Sequence, residues 1–224
     1  MMEFINKYKE KKVVPKMEFK GFEQNDFDTF KIDGLEDRMA AIRERIQPKF
    51  KAIGDEVVDD LAAQLGNEMF IHIAQHARRT VNPPNDTWMA FSSSNRGYKM
   101  LPHFQIGLWD DRLFVWLAYI YELPTKSEIA EKFLNKQDDL EQMIPKDYDI
   151  SMNHMKKSDE RLEELDFTKV LERFKKVKSA ELLIGKQFEP NDPTLKNGKE
   201  FLKEIKSIYN TLIPIYQLST AEVM

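Results

Sequence analysis

Residues 103–121 read HFQIGLWDDRLFVWLAYIY and hold the strongest structural pattern in the chain. Two extended apolar runs, 103–108 and 113–121, flank the turn WDDR, which predicts an antiparallel hairpin. The second run is apolar at every position, so both faces of its strand must be covered. It is therefore predicted to be a central strand, with helices on both faces of part of the sheet.

The rest of the chain predicts the neighbours of this hairpin. Extended runs predict further strands, and helical spacing bounded by capping signatures, Gly or Pro predicts helices. The predicted strands are 69–77, 87–93 and a weaker 148–153. The first predicted helix is opened by Asp33 and Glu36 and broken or kinked at Pro48, and the second is 48–65 with Gly66 as its stop. Later helices are predicted after a capping box at 125–128, over 168–183 and over 201–213.

This order of elements predicts the fold class and the domain organisation. Helices, then a block of strands joined by short turns, then more helices are typical of an α+β fold with a mainly antiparallel sheet, here of about four to six strands. We expect a single compact domain over 17–220 that is packed by helices. A lysine-rich, flexible N-terminal extension is expected over 1–16.

The composition excludes several classes of protein. The chain has 224 residues, no cysteine and a formal net charge of -4. Without cysteine it has no disulfide, no cysteine-ligated zinc or iron–sulfur cluster and no thiol nucleophile. Its longest apolar run, 113–121, has less than half of the ~20 residues that a membrane-spanning helix needs. Residues 1–16 contain no apolar stretch typical of a secretory signal. We therefore expect a cytoplasmic protein with no membrane contact.

A basic island lies inside this acidic chain. Between His72 and His103, three of the four histidines occur with four cationic residues and one acidic residue, which gives a local charge of +3. The cationic residues are Arg78, Arg79, Arg96 and Lys99, and the acidic residue is Asp86. Arginine presents a planar fork of donors and lysine a point charge, while Gly97 would let backbone N–H groups approach an anion. The pattern predicts an anion-binding site.

The histidines and aromatic residues of this island suggest further chemistry. His72 and His76 are four residues apart and share a face on a strand or on a helix. Histidine is a common metal ligand, but the surrounding cations would repel a metal ion, so no metal is expected. Two histidines can exchange protons, which makes His76 and His103 candidates for acid–base catalysis. Trp88 and Tyr98 would stack on a ligand or wall the pocket.

Three functions remain open from these residues. The first is binding of a phosphorylated small molecule or a short nucleic-acid segment, such as RNA, in a basic pocket that contains histidine. The second is a non-catalytic structural or protein-interaction domain in which the basic cluster forms internal ion pairs. The third is a metal-independent enzyme that cleaves phosphodiesters. The ligand-binding residues would be His72, Arg78, Arg79, Trp88, Arg96, Gly97, Tyr98 and Lys99. Neither a cofactor nor a protein partner can be identified from the sequence.

Three long motifs resemble a known family. They are HIAQHARRTVNPP at 72–84, DTWMAFS at 86–92 and NRGYKMLPHFQIGLW at 95–109, and they are similar to the YktB-like family of uncharacterised bacterial proteins. The similarity extends from about Gly21 to the last helix. The resemblance implies a compact α+β domain in a cytoplasmic bacterial protein. It implies no activity and assigns no catalytic residue.

Overall fold

A six-stranded antiparallel sheet forms the centre of the protein, whose computed structural model describes residues 17–157 and 160–221. The strand order is β1-β2-β3-β4-β6-β5. The strands are β1 (Phe70–Ile73), β2 (Thr87–Ser92), β3 (His103–Leu108), β4 (Leu113–Tyr119), β5 (Asp149–Ser151) and β6 (Leu182–Phe188). The predicted α+β class with a mainly antiparallel sheet is confirmed. The extension predicted for 1–16 lies outside the described residues.

Helices precede, interrupt and follow the strand block. Their bounds are α1 (Gln24–Asp28), α2 (Leu35–Ala41), α3 (Gln47–Leu65), α4 (Lys126–Asn135), α5 (Gln137–Met143), α6 (Phe167–Lys176), α7 (Pro193–Lys196) and α8 (Gly198–Thr220). Short 3-10 turns cover Thr29–Lys31, Tyr98–Met100 and Leu162–Glu164, and a π-helical segment over Ile42–Ile46 joins α2 to α3. The domain bounds of 17–220 stay a prediction.

The hairpin of β3 and β4 forms as predicted. The register pairs His103 with Ala118 and Leu108 with Leu113, and the turn closes when the backbone N–H of Trp109 donates to the Arg112 carbonyl at 2.8 Å. All seven residues of β4 are buried. Because β4 lies between β3 and β6, its prediction as a central strand is confirmed.

The two faces of the sheet are covered in different ways. On one face, helices supply the main core: Tyr119 contacts Phe133 of α4 and Phe174 of α6, and Phe104 stacks on Tyr216 of α8. On the other face is a second apolar cluster. It consists of Trp109, Phe114, Trp116, Ala118, Ile120 and Leu183, with Trp88 against it.

No α-helix contributes to the second cluster in the part of the chain that the structure describes. Loop residues contact its aromatic rings instead, as when His76 packs edge-on against Trp88 and Lys157 lies over the Trp109 ring. The expectation of helices on both faces is therefore wrong. The large indole and phenyl rings of the cluster bury much of one another's surface. Loop residues are therefore enough to cover what remains.

The strand β6 differs most from the sequence-based expectation. A helix was predicted over 168–183, but α6 ends at Lys176 and a strand begins at Leu182. Gly185 explains why this segment can lie beside β4, since a Cβ atom there would stand 2.0 Å from the carbonyl oxygen of Val115. A glycine inside a strand is typical of such a close backbone approach.

Other local signals had mixed outcomes. Gly66 ends α3 in the left-handed conformation with φ 71°, as predicted. The helix α2 begins instead after Gly34, whose φ is 82°, without the side-chain cap predicted from Asp33. Pro48 does not break the helix, because it occupies the first turn of α3, where no N–H partner is needed. The strand predicted over 69–77 ends at Ile73.

Candidate functional site

The sheet face opposite the helices carries most of the residues that the sequence singled out. Residues 74–86, 93–102 and 152–157 connect elements across this side, which is called the loop face below. The register places His72, Ala90, Gln105 and Trp116 in line across four neighbouring strands, β1 to β4. Paired residues of antiparallel strands project to the same side of a sheet.

Trp88 and Tyr98 form the centre of the loop face. The indole N–H of Trp88 donates to the Tyr98 hydroxyl at 2.7 Å. The ring of His72 stacks on Tyr98 with centroids 4.7 Å apart, and the ring of His103 meets Tyr98 edge-on at 5.1 Å. The ring of His76 meets Trp88 edge-on at 5.6 Å. These five residues, the aromatic–histidine cluster, were all named from the sequence, and the structure brings them together.

Two of these histidines are held by backbone carbonyl groups. Nε2 of His72 donates to the Ser94 carbonyl at 2.8 Å. Nδ1 of His103 donates to the Leu101 carbonyl at 2.7 Å, and its Nε2 accepts from the Gln105 amide at 2.7 Å. Burial lowers the pKa of His103 to about 4. His103 is therefore neutral near pH 7, and both of its ring nitrogens are hydrogen-bonded.

His76 lies in the loop after β1 rather than in a strand. Its φ of 51° is in the left-handed region, which is uncommon for a residue with a side chain. Its Nε2 lies 3.0 Å from the Thr87 hydroxyl. Burial, together with the positive charges of Arg79 and Lys99, lowers the pKa of His76 to about 4. Like His103, it is neutral near pH 7.

The four cations differ in their surroundings. Arg78 and Arg96 are exposed, and their side chains have no hydrogen-bond or ion-pair partner among residues 17–157 and 160–221. Within the described part of the chain, the guanidinium of Arg79 donates to backbone carbonyls of its own loop, at 3.3 and 3.5 Å. Lys99 lies 3.6 Å from the Glu122 carboxylate and 5.4 Å from the centre of the Trp88 ring. Internal ion pairing thus accounts for one of these four cations in the described structure.

Gly97 shapes the loop that carries two of these cations. It adopts φ 65°, and its carbonyl accepts from the Met100 N–H at 2.9 Å, which closes the 3-10 turn Tyr98–Met100. A residue with a side chain would be strained in this left-handed conformation. Gly97 therefore positions Tyr98 and Lys99 over the sheet.

A second group on the loop face consists of Asp86, which the sequence analysis counted only as the acidic residue of the basic island, and of His154 and Glu181, which it assigned to no site. Asp86 is only 3% exposed. Burial raises its pKa to about 6, against the effect of the nearby charges of His154, Arg79 and Lys99. Nδ1 of His154 lies 2.8 Å from both carboxylate oxygens of Glu181. His154 is isolated in the sequence and Glu181 was assigned to a helix, so no local pattern joined them.

The described residues form neither a metal cluster nor a membrane-spanning helix. Among the residues that the structure describes, no three His, Asp or Glu side chains are grouped as a metal site would require. None of the described helices is both long enough and apolar enough to cross a bilayer.

Comparison with known proteins identifies the family. The sequence model of a family described as "Domain of unknown function (DUF1054)" matches residues 22–216. A UPF0637 protein of Shouchella clausii is 56% identical over 203 residues, which cover 91% of this chain and 96% of that protein. A UPF0637 protein of Exiguobacterium sibiricum is 53% identical over 196 residues, or 88% of this chain and 96% of that protein. The resemblance seen in the motifs is confirmed, and the chain belongs to this family of uncharacterised bacterial proteins.

Proposed function

We propose that the loop face binds a phosphate-bearing small molecule or a short nucleic-acid segment. The observation that carries this proposal is that Arg78 and Arg96 are exposed and have no partner within the described residues, beside the aromatic–histidine cluster. Arginines without a carboxylate partner keep their donors for a ligand anion. Their loops flank the strand that carries Trp88.

The other residues of the loop face would complete the site. Lys99 can exchange its long contact with Glu122 for a phosphate, since an exposed ion pair at 3.6 Å contributes little to stability. Trp88 and Tyr98 are partly exposed and offer aromatic surface for a base or another ring. His72 and His76 would contribute as neutral donors at the margin. A cytoplasmic location remains a prediction.

A thermal-shift screen at low salt would test the proposal. Nucleotides, sugar phosphates and short RNAs would be compared on the wild type and on Arg96→Ala. A ligand at 100 times its dissociation constant stabilises the fold by about 2.7 kcal/mol. Arg43→Ala is a matched control, because Arg43 is an exposed arginine in the helical segment Ile42–Ile46. Stabilisation that Arg96→Ala loses and Arg43→Ala keeps is the expected result.

The same variants separate binding from a purely structural role. Because Arg78 and Arg96 are exposed and unpaired in the described structure, Arg78→Ala and Arg96→Ala should each change the free energy of unfolding by less than about 0.5 kcal/mol. A larger destabilisation without ligand would favour the structural or protein-interaction alternative. If no phosphate compound shifts the wild type, the proposal fails.

A further inference from the structure

The basic surface of the loop face continues past the aromatic–histidine cluster. Lys156 and Trp88 line the same small cavity, so Lys156 lies close to the cluster. Lys156 also lines an open cleft of about 410 Å³ together with Lys157, Glu160 and Arg173. This cleft is called the distal cleft below. Lys156 therefore connects the distal cleft to the surface where the proposed ligand would bind.

Two cations of the distal cleft are available to a ligand. Lys156 and Arg173 are exposed, and their side chains have no hydrogen-bond or ion-pair partner in the part of the chain that the structure describes. Lys157 is already paired, since its ammonium lies 2.6 and 2.9 Å from two aspartates of the hairpin turn. Glu160 opposes the two available cations with a single negative charge. The distal cleft therefore attracts anions.

The distance between the two basic regions suits a chain of phosphates rather than one phosphate group. Trp88 lies on β2, and Ser151, which lines the distal cleft, lies on β5. These two strands are the ends of the order β2-β3-β4-β6-β5. With about 4.8 Å between neighbouring strands, their backbones are roughly 19 Å apart. At about 3.4 Å per nucleotide along a stacked strand, about six linked phosphates would span this distance.

Tyr121 offers a stacking surface between the two regions. It follows β4, the middle strand of this order, and its side chain is 50% exposed. Its ring lies nearly parallel to that of His154, with centroids 6.4 Å apart, and the next residue, Glu122, pairs with Lys99. Proteins that bind single strands combine cations with exposed aromatic rings on which bases stack. Paired bases inside a duplex are stacked on one another and cannot reach such a ring.

We propose that single-stranded nucleic acid binds across the loop face and the distal cleft. Its phosphates run from Arg96, beside the aromatic–histidine cluster, to Arg173 in the distal cleft, and one base stacks on Tyr121. This inference rests on the proposed function and selects nucleic acid over a small molecule. A mononucleotide or a sugar phosphate would contact the first region alone.

The dependence of affinity on length tests this inference. Fluorescence anisotropy would follow fluorescein-labelled oligouridylates of about two, six and twelve nucleotides, and a thermal-shift assay would follow uridine monophosphate. Affinity should rise steeply up to about six nucleotides. Arg173→Ala should lower affinity for the longest probe by about 10-fold and leave uridine monophosphate unaffected. Arg96→Ala should weaken both, and the exposed Arg43 again gives the control, Arg43→Ala, which should weaken neither.

The salt dependence of binding gives a second readout. For a single strand, the slope of log K against log salt concentration is about -0.7 for each phosphate that the protein neutralises. Arg173→Ala should therefore reduce the magnitude of this slope by about 0.7 for the longest probe. Thermal unfolding without ligand shows whether each variant is folded.

Substitution of Tyr121 tests whether bases are recognised. Tyr121→Ala should weaken binding of the longest oligouridylate by about 10-fold, whereas Tyr121→Phe keeps the ring and should bind like the wild type. Inorganic polyphosphate is the probe without bases. Tyr121→Ala and the wild type should bind polyphosphate equally, which also shows that the cations keep their arrangement in this variant.

The possible results separate this inference from the proposed function. Binding of uridine monophosphate that Arg96→Ala loses, without a gain for longer probes, would overturn the inference and leave the proposed function standing. Equal affinity of the wild type and Arg173→Ala for the longest probe would also overturn it, as would tighter binding of a duplex of the same length. An oligouridylate affinity that Tyr121→Ala leaves unchanged would identify a polyanion without bases as the ligand. If no phosphate compound binds, both proposals fail.

Discussion

Lys126 should stabilise the junction that leads from α6 into β6. Its side chain is only 8% exposed, and its ammonium donates to the carbonyls of Val177, Lys178 and Ala180 at 2.6, 2.8 and 3.0 Å. These carbonyls follow the last turn of α6, where helical N–H partners are missing. Lys126 therefore holds the segment that places Glu181 beside His154.

The magnitude of this effect follows from the three contacts. Lys126→Met keeps the length of the side chain but removes all three charged hydrogen bonds. The bond to Ala180 is buried and the other two are partly exposed, so water can replace some of the loss. An unsatisfied buried carbonyl costs about 1–3 kcal/mol, and a partly exposed carbonyl costs less. Removal of the buried charge offsets part of this cost. We therefore expect Lys126→Met to lower the free energy of unfolding by about 2–4 kcal/mol.

Urea unfolding and thermal unfolding would measure this loss. For a domain of this size, a loss of about 2–4 kcal/mol lowers the melting temperature by roughly 4–16 °C. Lys176→Met is the matched control, because Lys176 forms an exposed pair with Glu172 at 3.0 Å on α6 and should contribute less than about 0.5 kcal/mol. If both variants changed stability equally, the reasoning about Lys126 would be refuted.

Three further predictions concern the sheet and the loop face. Gly185→Ala should destabilise the fold by about 3 kcal/mol in urea unfolding, because the new Cβ would stand 2.0 Å from the Val115 carbonyl oxygen. An unchanged free energy of unfolding would mean that β4 and β6 can move apart without cost. Tyr98→Phe should cost about 1 kcal/mol and alter tryptophan fluorescence, since the indole N–H of Trp88 loses its partner at 2.7 Å; unchanged stability and emission would argue against this contact. Burial lowers the pKa of His103 from 6.5 to about 4. Between these values the unfolded chain binds a proton that the folded protein does not bind, so the free energy of unfolding decreases as pH falls through this range. The wild type should therefore lose more unfolding free energy than His103→Asn between about pH 7 and pH 5, and equal losses would contradict this assignment.

The fold was predictable where local periodicity and burial agree. The hairpin over His103–Leu108 and Leu113–Tyr119 could be assigned because its apolar residues have to be buried together and the polar turn fixes their register. The strand Leu182–Phe188 could not, because its apolar residues adjoin the amphipathic helix α6 and a short apolar run fits either structure. Pairing with β4 selects the strand.

The candidate site was only partly predictable. The residues between His72 and His103 cluster in sequence, and the pairing of neighbouring strands β1, β2 and β3 keeps them together in space. His154 and Glu181 could not be joined to them, because their pairing depends on which strand lies next to β4. Nor did the sequence indicate that Arg78 and Arg96 have no carboxylate partner within the described residues, since such a partner could come from any distant segment.

The sequence by itself determined the α+β class, the central hairpin and the basic, histidine-bearing character of one segment. These properties depend on apolar periodicity, turn residues and charge, which act over a few neighbouring positions. Only the tertiary structure decided that helices cover one face and loops the other, and that Asp86, His154 and Glu181 meet beside Trp88. Long-range strand pairing and burial determine these contacts, and they also set which histidine stays neutral and which carboxyl group is buried.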